Sequence, residues 1–315
     1  MPVALITGVR GQDGSYLAEL LRARGFDVHG LVQPGEGRAP DADVATLHEV
    51  DLTDTAGVTA LVAELSPDHL YNLAGLSSVA LSWEDPLLTT RVNALGAQAL
   101  LEAATRLTEA GKDVRFVQAS SAEMFGQPSR TPQDEGTPIA PVSPYGASKA
   151  FAHLLVGVQR GRGLHASSVI LYNHESPRRP QHFVTRKITA TVAAIAQGRA
   201  DELRLGNLDA RRDWGWAPDY VRAMFLAASH PTGDDYVLAT GEAHSVRDFV
   251  SAAFARVGLT DWADRVVVDP AFFRPVDPFE LVGDATKAHT QLGWSPSVGF
   301  NELVARMVEA DLERP

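Results

Sequence analysis

The sequence predicts an α/β fold: a doubly wound parallel sheet with a smaller C-terminal substrate domain interleaved with it. Three observations carry that expectation. Short apolar runs alternate with helical patterns through the first half of the chain. A glycine-spaced turn, Thr7-Gly8-Val9-Arg10-Gly11-Gln12-Asp13-Gly14, follows the first run and opens the first helical pattern. After Asn173 the alternation loosens into Pro- and Arg-rich loops, helices and short strands, with one late return to sheet at 235–239.

In chain order, residues 3–7 read as a buried parallel strand because every residue is apolar or β-branched. Leu17, Leu20 and Leu21 then give helical spacing, closed by Gly25. Strands are expected at 27–32, at 46–50 ending beside Asp51, and at 69–74. A long amphipathic stretch at 93–107 precedes a strand at 115–120. A helix beginning near Pro144 runs to about Gly161, and a further strand covers 166–172. The Gly/Pro-rich stretch 33–43 reads as a surface loop. These elements divide the chain into a doubly wound domain over 1–172 and a smaller, mainly substrate-binding domain over 173–315. Segments around 210–240 return to the first domain.

Composition narrows the function. A chain of 315 residues with 45% hydrophobic content builds a sizeable core. Zero cysteines exclude disulfides, thiol nucleophiles and cysteine metal sites, and fit a cytoplasmic enzyme. The start lacks the basic and apolar regions of a signal peptide, and no apolar run is long enough to span a membrane. A net charge of −11 argues against nucleic acid as the main partner. Between Arg178 and Arg212, however, eight basic residues stand against three acidic ones. Such an island suits a small anionic ligand such as a nucleoside diphosphate, or is simply a solvated charged face.

The motifs specify chemistry. Gly8, Gly11 and Gly14 let backbone approach a diphosphate at a helix N-terminus. Asp51 accepts from an adenine amino group or caps the helix after it. Tyr145 and Lys149 are four residues apart, so they share one helix face. An ammonium there lowers the phenol from its ordinary value of about 10 and turns it into a proton acceptor. Ser121 completes a relay to a substrate oxygen. Glu123 adds a second acid–base group that simple alcohol oxidation does not require. His174 lacks a partner at metal-ligand spacing, so no metal site is expected. The pairs Arg186-Lys187 and Arg211-Arg212 supply donors for phosphates, whereas Trp214 and Trp216 read as packing residues.

Together these strings resemble the extended short-chain dehydrogenase/reductase superfamily, with its Rossmann-type domain. Within it they look most like the GDP-mannose 4,6-dehydratases. The supporting strings include Gly11-Gln-Asp-Gly14, Ser120-Ser-Ala-Glu-Met-Phe-Gly126, Asn173-His-Glu-Ser-Pro-Arg-Arg179 and Gly283-Asp-Ala-Thr-Lys287. The resemblance implies catalysis by Ser121, Glu123, Tyr145 and Lys149. It implies cofactor contacts along Gly8, Arg10, Gly11, Gln12, Asp13 and Gly14. Asp51, Leu52, Leu73, Ala74 and Ser77 extend that set, as do Tyr145, Lys149, His174 and Arg179. Nucleotide-sugar contacts fall on Asn173, Val184, Lys187, Arg212 and Arg274.

The implied reaction is conversion of GDP-mannose to GDP-4-keto-6-deoxymannose. The alternatives are another nucleotide-sugar enzyme of the superfamily (4-epimerase, decarboxylase or 4-keto reductase) or a catalytically silent nucleotide binder. NADP is the implied cofactor, with NAD the alternative. The family's arginine pair for the 2′-phosphate is replaced by Gln33-Pro34, while Arg10 in the glycine turn is placed to compensate. Ser121 replaces a family Thr, Gly75-Leu-Ser-Ser78 departs from the family's Ala-Gln-Ser-His, and Asp277 replaces a family Glu. The shortened loop after the second strand implies a homodimer in place of the family's tetramer.

Overall fold

The structure, a computed structural model, describes residues 1–35, 46–273, 276 and 280–314. Most of the surface loop expected at 33–43, together with Arg274 and Asp277, lies outside the described residues.

The first strands and helices alternate as β1 (Val3–Thr7), α1 (Gln12–Ala23), β2 (Asp27–Val32), β3 (Thr46–Glu49), α2 (Thr55–Leu65) and β4 (His69–Asn72). Two short helices, α3 (Val79–Glu84) and α4 (Pro86–Thr90), lead through a π-helical turn at Arg91–Leu95 into α5 (Gly96–Glu109). Then come β5 (Arg115–Ser121), α6 (Pro144–Gly161), β6 (His165–Leu171) and β7 (Asn173–Glu175). The rest of the chain forms α7 (Val184–Ala196), β8 (Leu203–Leu205), β9 (Arg211–Trp216), α8 (Ala217–Ser229) and β10 (Asp235–Leu238). It ends with β11 (Ala243–Ser245), α9 (Val246–Arg256), β12 (Val266–Val268), β13 (Glu280–Leu281), α10 (Thr286–Leu292) and α11 (Phe300–Leu312).

Seven strands form one parallel sheet in the order β10-β6-β5-β4-β1-β2-β3. Both faces are covered, which is why its strands read as continuous apolar runs. Helices α1 and α8 bury Leu17, Leu21, Val221 and Met224 against one face. Helices α2, α5 and α6 bury Leu61, Leu100, Leu101 and Val156 against the other. The strand order reverses between β1 and β4, where open sheets of this type leave a crevice at the carboxyl ends. Thr7 pins that point: its hydroxyl donates to Asn72 Oδ1 at 2.8 Å and accepts from the N–H groups of Leu73 and Ala74.

The second half is built differently. Strands β7, β11 and β13 all pair with β9, and β12 pairs with β8. Helices α7, α9 and α11 close over Trp214, Phe249, Phe254 and Met307 to make a separate apolar core. Meanwhile α8 and β10 belong to the large sheet and its covering layer. The late strand expected at 235–239 is therefore present at 235–238, pairing with β6.

Candidate active site

A cleft of about 1050 Å³ runs along the carboxyl ends of β1, β4, β5 and β6 and continues under the second core. Its floor at one end is the glycine turn. Gly8 has φ +69°, and a Cβ there would lie 2.9 Å from the Ala74 Cα. A Cβ on Gly14 would lie 2.1 Å from the Gly8 carbonyl oxygen. Helix α1 starts at this turn with no side-chain cap. Backbone without side chains, opening onto a helix N-terminus, fits the diphosphate of a dinucleotide. Arg10, Val32, Gln33, Asp51 and Leu52 line the same end. Asp51 does not cap α2; it accepts from the Thr53 N–H and hydroxyl, both at 2.8 Å, while Asp54 caps the helix. Leu73, Ala74 and Ser77 line the middle.

Ser121, Glu123, Tyr145 and Lys149 meet at the centre of this cleft. Ser121 ends β5 and accepts from the Glu123 N–H at 3.2 Å, starting the short helical turn that carries Glu123. Ser143 and Pro144 start α6, with the Ser143 hydroxyl accepting from Gly146 at 3.0 Å. A Cβ on Gly146 would lie 2.5 Å from the Glu123 carbonyl oxygen, so glycine lets α6 approach the Glu123 turn. Two turns of α6 then aim Tyr145 and Lys149 into the cleft.

The electrostatics differ from the sequence expectation. Burial pushes Tyr145 up to about 12; its hydrogen bond with Ser121 opposes this and the nearby Glu123 charge adds to it. The nearby Lys149 does not outweigh that burial. Its ammonium lies 5.9 Å from the Tyr145 ring centroid and donates instead to the Ala119 carbonyl at 2.9 Å. Burial lowers Lys149 to about 8, opposed by the charge of Asp13. The relay geometry is present, but the chain's own groups leave the tyrosine protonated.

Two buried residues missed in the sequence hold this centre together. Asn93, in the π-helical turn, accepts from the Leu76 N–H at 2.8 Å and donates to the Leu76 carbonyl and the Ser148 hydroxyl, both at 3.1 Å. It fixes the loop at 75–78 against α6. Glu175 accepts from the Thr185 hydroxyl at 2.6 Å and pairs with Arg179 at 3.2 Å. Arg179 in turn stacks on Phe183, 3.7 Å from its centroid. A π-turn marks Asn93 only in the structure, since its side-chain pattern reads as ordinary helix.

The far end of the cleft is lined by Asn173, Val184, Lys187 and Arg212, whereas His174 lines it beside the glycine turn, 2.8 Å from Asp13. Arg212 is buried, and its guanidinium donates to the Arg211 carbonyl at 2.8 Å. Burial lowers Lys187, opposed by Asp269, and its ammonium lies 3.6 Å above the Phe272 ring. The basic island is divided. Arg186, fully buried, pairs with Asp311 at 2.6 Å, and Arg211 pairs with Glu280 at 2.9 Å. Neither lines the cleft, because adjacent residues on α7 and on β9 point to different sides. The expected phosphate donors reduce to Lys187 and Arg212. Trp214 packs on Phe249 and Phe300, as a core residue does, with one edge reaching the cleft. Among the described residues no cluster of three or more potential ligands is placed to hold a metal ion. No helix of the described residues is long and apolar enough to cross a membrane.

Comparison with known proteins fits this arrangement. The family profile "GDP-mannose 4,6 dehydratase" matches residues 5–307. "GDP-mannose 4,6 dehydratase 2" of Arabidopsis thaliana is 46% identical over 99% of this chain and 87% of its own. "GDP-mannose 4,6-dehydratase" of Vibrio cholerae is 42% identical, with 98% and 94% covered. "GDP-mannose 4,6-dehydratase sdnI" of Sordaria araneosa is 45% identical over 98% of this chain, which spans 61% of that relative's length. Among solved structures, a Thermus thermophilus UDP-glucose 4-epimerase in complex with NAD superposes with a TM-score of 0.86. It is 32% identical, with 98% of both chains covered. RMD from Pseudomonas aeruginosa, complexed with NADPH, gives 0.83 at 25% identity and full coverage of both chains. The superpositions fix the fold, and the Ser-Glu-Tyr-Lys centre lies in that fold's crevice; with the profile matched almost end to end, this chain belongs to the GDP-mannose 4,6-dehydratase family of nucleotide-sugar hydro-lyases.

Proposed function

We propose that this chain converts GDP-mannose to GDP-4-keto-6-deoxymannose, with NADP as cofactor, as a cytoplasmic homodimer. The observation that carries the reading is the convergence of Ser121, Glu123, Tyr145 and Lys149 in one cleft, between the glycine cradle and the Lys187/Arg212 pair. In this division of labour, residues 1–172 with the returning α8 and β10 hold the dinucleotide. The remainder of 173–315 holds the nucleotide sugar.

A bound nicotinamide supplies the acceptor for hydride from C4 and the donor of hydride to C6. Tyr145 takes the proton of the C4 hydroxyl as phenolate, a form that burial alone disfavours and that the positive charges of Lys149 and of a bound oxidised nicotinamide would favour. The Ser121 hydroxyl holds the same C4 oxygen. Lys149 keeps a positive charge below that oxygen. The resulting 4-ketone makes the C5 proton acidic. Glu123 removes it and passes a proton to the departing C6 hydroxyl, which leaves as water. Hydride addition at C6 is balanced by a proton at C5, equal to the one taken from O4. An epimerase or simple oxidase would have no use for Glu123 beside this relay.

Lys187 and Arg212 suit the diphosphate of the sugar nucleotide, one as a point charge and the other as a fork. Arg10, which lines the same cleft as Val32 and Gln33, supports NADP, because a guanidinium suits a 2′-phosphate and neither Val32 nor Gln33 supplies a carboxylate for ribose hydroxyls. For the dimer, α6 exposes Phe151, Leu154 and Val158 along one stripe, opposite the face bearing Tyr145 and Lys149. Thermal-shift screening with GDP-, UDP-, dTDP- and CDP-sugars tests the substrate. A ligand that binds only the native state raises its melting temperature. GDP-mannose should give the largest shift; a larger shift with a UDP-sugar would reject the assignment.

A further inference from the structure

Asp13 sits in the first turn of α1, at the uncapped N-terminus that opens the cleft. That terminus attracts anions. A carboxylate in its first turn uses up the same attraction and repels an incoming diphosphate. In this chain the carboxylate is answered by His174 of β7. Its Nε2 lies 2.8 Å from Asp13 Oδ2, and its Nδ1 lies 2.7 Å from the Tyr172 carbonyl oxygen. Both neighbours only accept, so both ring nitrogens donate and the ring is imidazolium.

The pair is enclosed, with side chains 9% and 19% exposed. The His174 ring stacks on Tyr220 of α8 at 4.6 Å. Gln12 ties the two segments, donating to the His174 carbonyl at 3.0 Å and accepting from the Ser176 hydroxyl at 2.9 Å. Burial opposes charge on both partners, but their mutual attraction and hydrogen bond outweigh it. His174 is held above its ordinary value and Asp13 below. Arg179 adds to the shift of Asp13 and opposes that of His174. The carboxylate also acts on Lys149 and Tyr145 of α6, and Glu175 is engaged by Arg179.

We propose that His174 is the built-in counter-ion of Asp13, cancelling its charge so that the α1 N-terminus can receive a dinucleotide diphosphate. The inference rests on dinucleotide binding at the glycine turn. His174 is thereby a positioning residue, with its polar ring atoms spent on Asp13 and Tyr172 instead of on the ligand. The carboxylate, in return, keeps the β7 segment locked to the glycine turn.

Fluorescence titration of the full chain with NADPH at neutral pH tests this. His174→Gln removes the positive charge that acts most strongly on Asp13 and should weaken NADPH binding about tenfold or more, a loss that shrinks in high salt. Asp13→Asn/His174→Gln should bind within about threefold of wild type, since the unpaired charge is gone. A double variant as weak as His174→Gln would overturn the proposal, because a direct contact or a purely structural role is not rescued this way. If His174→Gln does not fold, NMR titration of the His174 ring decides. It should titrate above the ordinary imidazole range in wild type and fall towards it in Asp13→Asn; an ordinary or lower value in wild type would overturn the counter-ion role. Wild-type protein that bound neither NADPH nor NADH would defeat the dinucleotide reading itself, and this inference with it.

Discussion

Glu123 and Tyr145 divide the proposed chemistry, so their removal should have separable effects. Glu123→Gln should retain slow C4 oxidation, visible as nicotinamide absorbance, while dehydration falls about 10²–10⁴-fold. Tyr145→Phe should lose both steps. Dehydration at the wild-type rate in Glu123→Gln would move the base elsewhere. Lys149 carries a second prediction, on stability. Burial lowers it from 10.5 to about 8, so the folded state binds the proton less tightly than the unfolded state. Below pH 8 both states are protonated and the folded state bears the full burden of the buried charge. As pH rises from about 8 towards 10.5 that burden is relieved. Lys149→Met lacks this dependence. Urea unfolding should therefore show the variant's stability relative to wild type declining over that window, and a flat difference would refute the buried-charge argument. At this scale the sequence was informative wherever spacing alone sets direction, as for Tyr145 and Lys149. It misled where adjacency was mistaken for a shared face, as for Arg186 and Lys187. It was silent on the pairing of Asp13 with His174, which lie 161 positions apart and are brought together by the fold alone.

At the scale of elements, the strands of the large sheet were legible because apolar runs end at polar or glycine punctuation. The observed β1 and β2 match the expected bounds, and β5 and β6 differ by a residue at their ends. The strands β7, β8, β11, β12 and β13 were not legible. At two or three residues each they are too short to show a period of two, and pairing partners define them. Expected as one helix, 93–107 instead begins in the π-helical turn that turns Asn93 inward. Asn93→Ala would strand the Leu76 N–H and carbonyl and leave Ser148 without a partner from this turn. Denaturant unfolding should show a loss of about 2–3 kcal/mol, by the cost of unsatisfied buried groups. The kcat should fall as well, since the loop at 75–78 and α6 lose their common anchor. Unchanged stability and kcat would mean that the turn is incidental.

For the whole molecule, assembly and reaction are the open consequences of the geometry. Phe151, Leu154 and Val158 fall at helical spacing on the outer face of α6, with Leu95 also exposed at the end of the π-helical turn. An apolar stripe of this kind on a helix suits a self-complementary two-fold contact. Leu154→Asp should convert a dimer into a monomer in light scattering while the large sheet stays folded; a wild-type monomer would remove the interface altogether. The reaction has a more direct test. Purified protein incubated with GDP-mannose should, by mass spectrometry, yield a nucleotide sugar lighter by one water, with no net consumption of nicotinamide. An unchanged mass, or loss of water only from another nucleotide sugar, would contradict the proposal that this cleft dehydrates GDP-mannose.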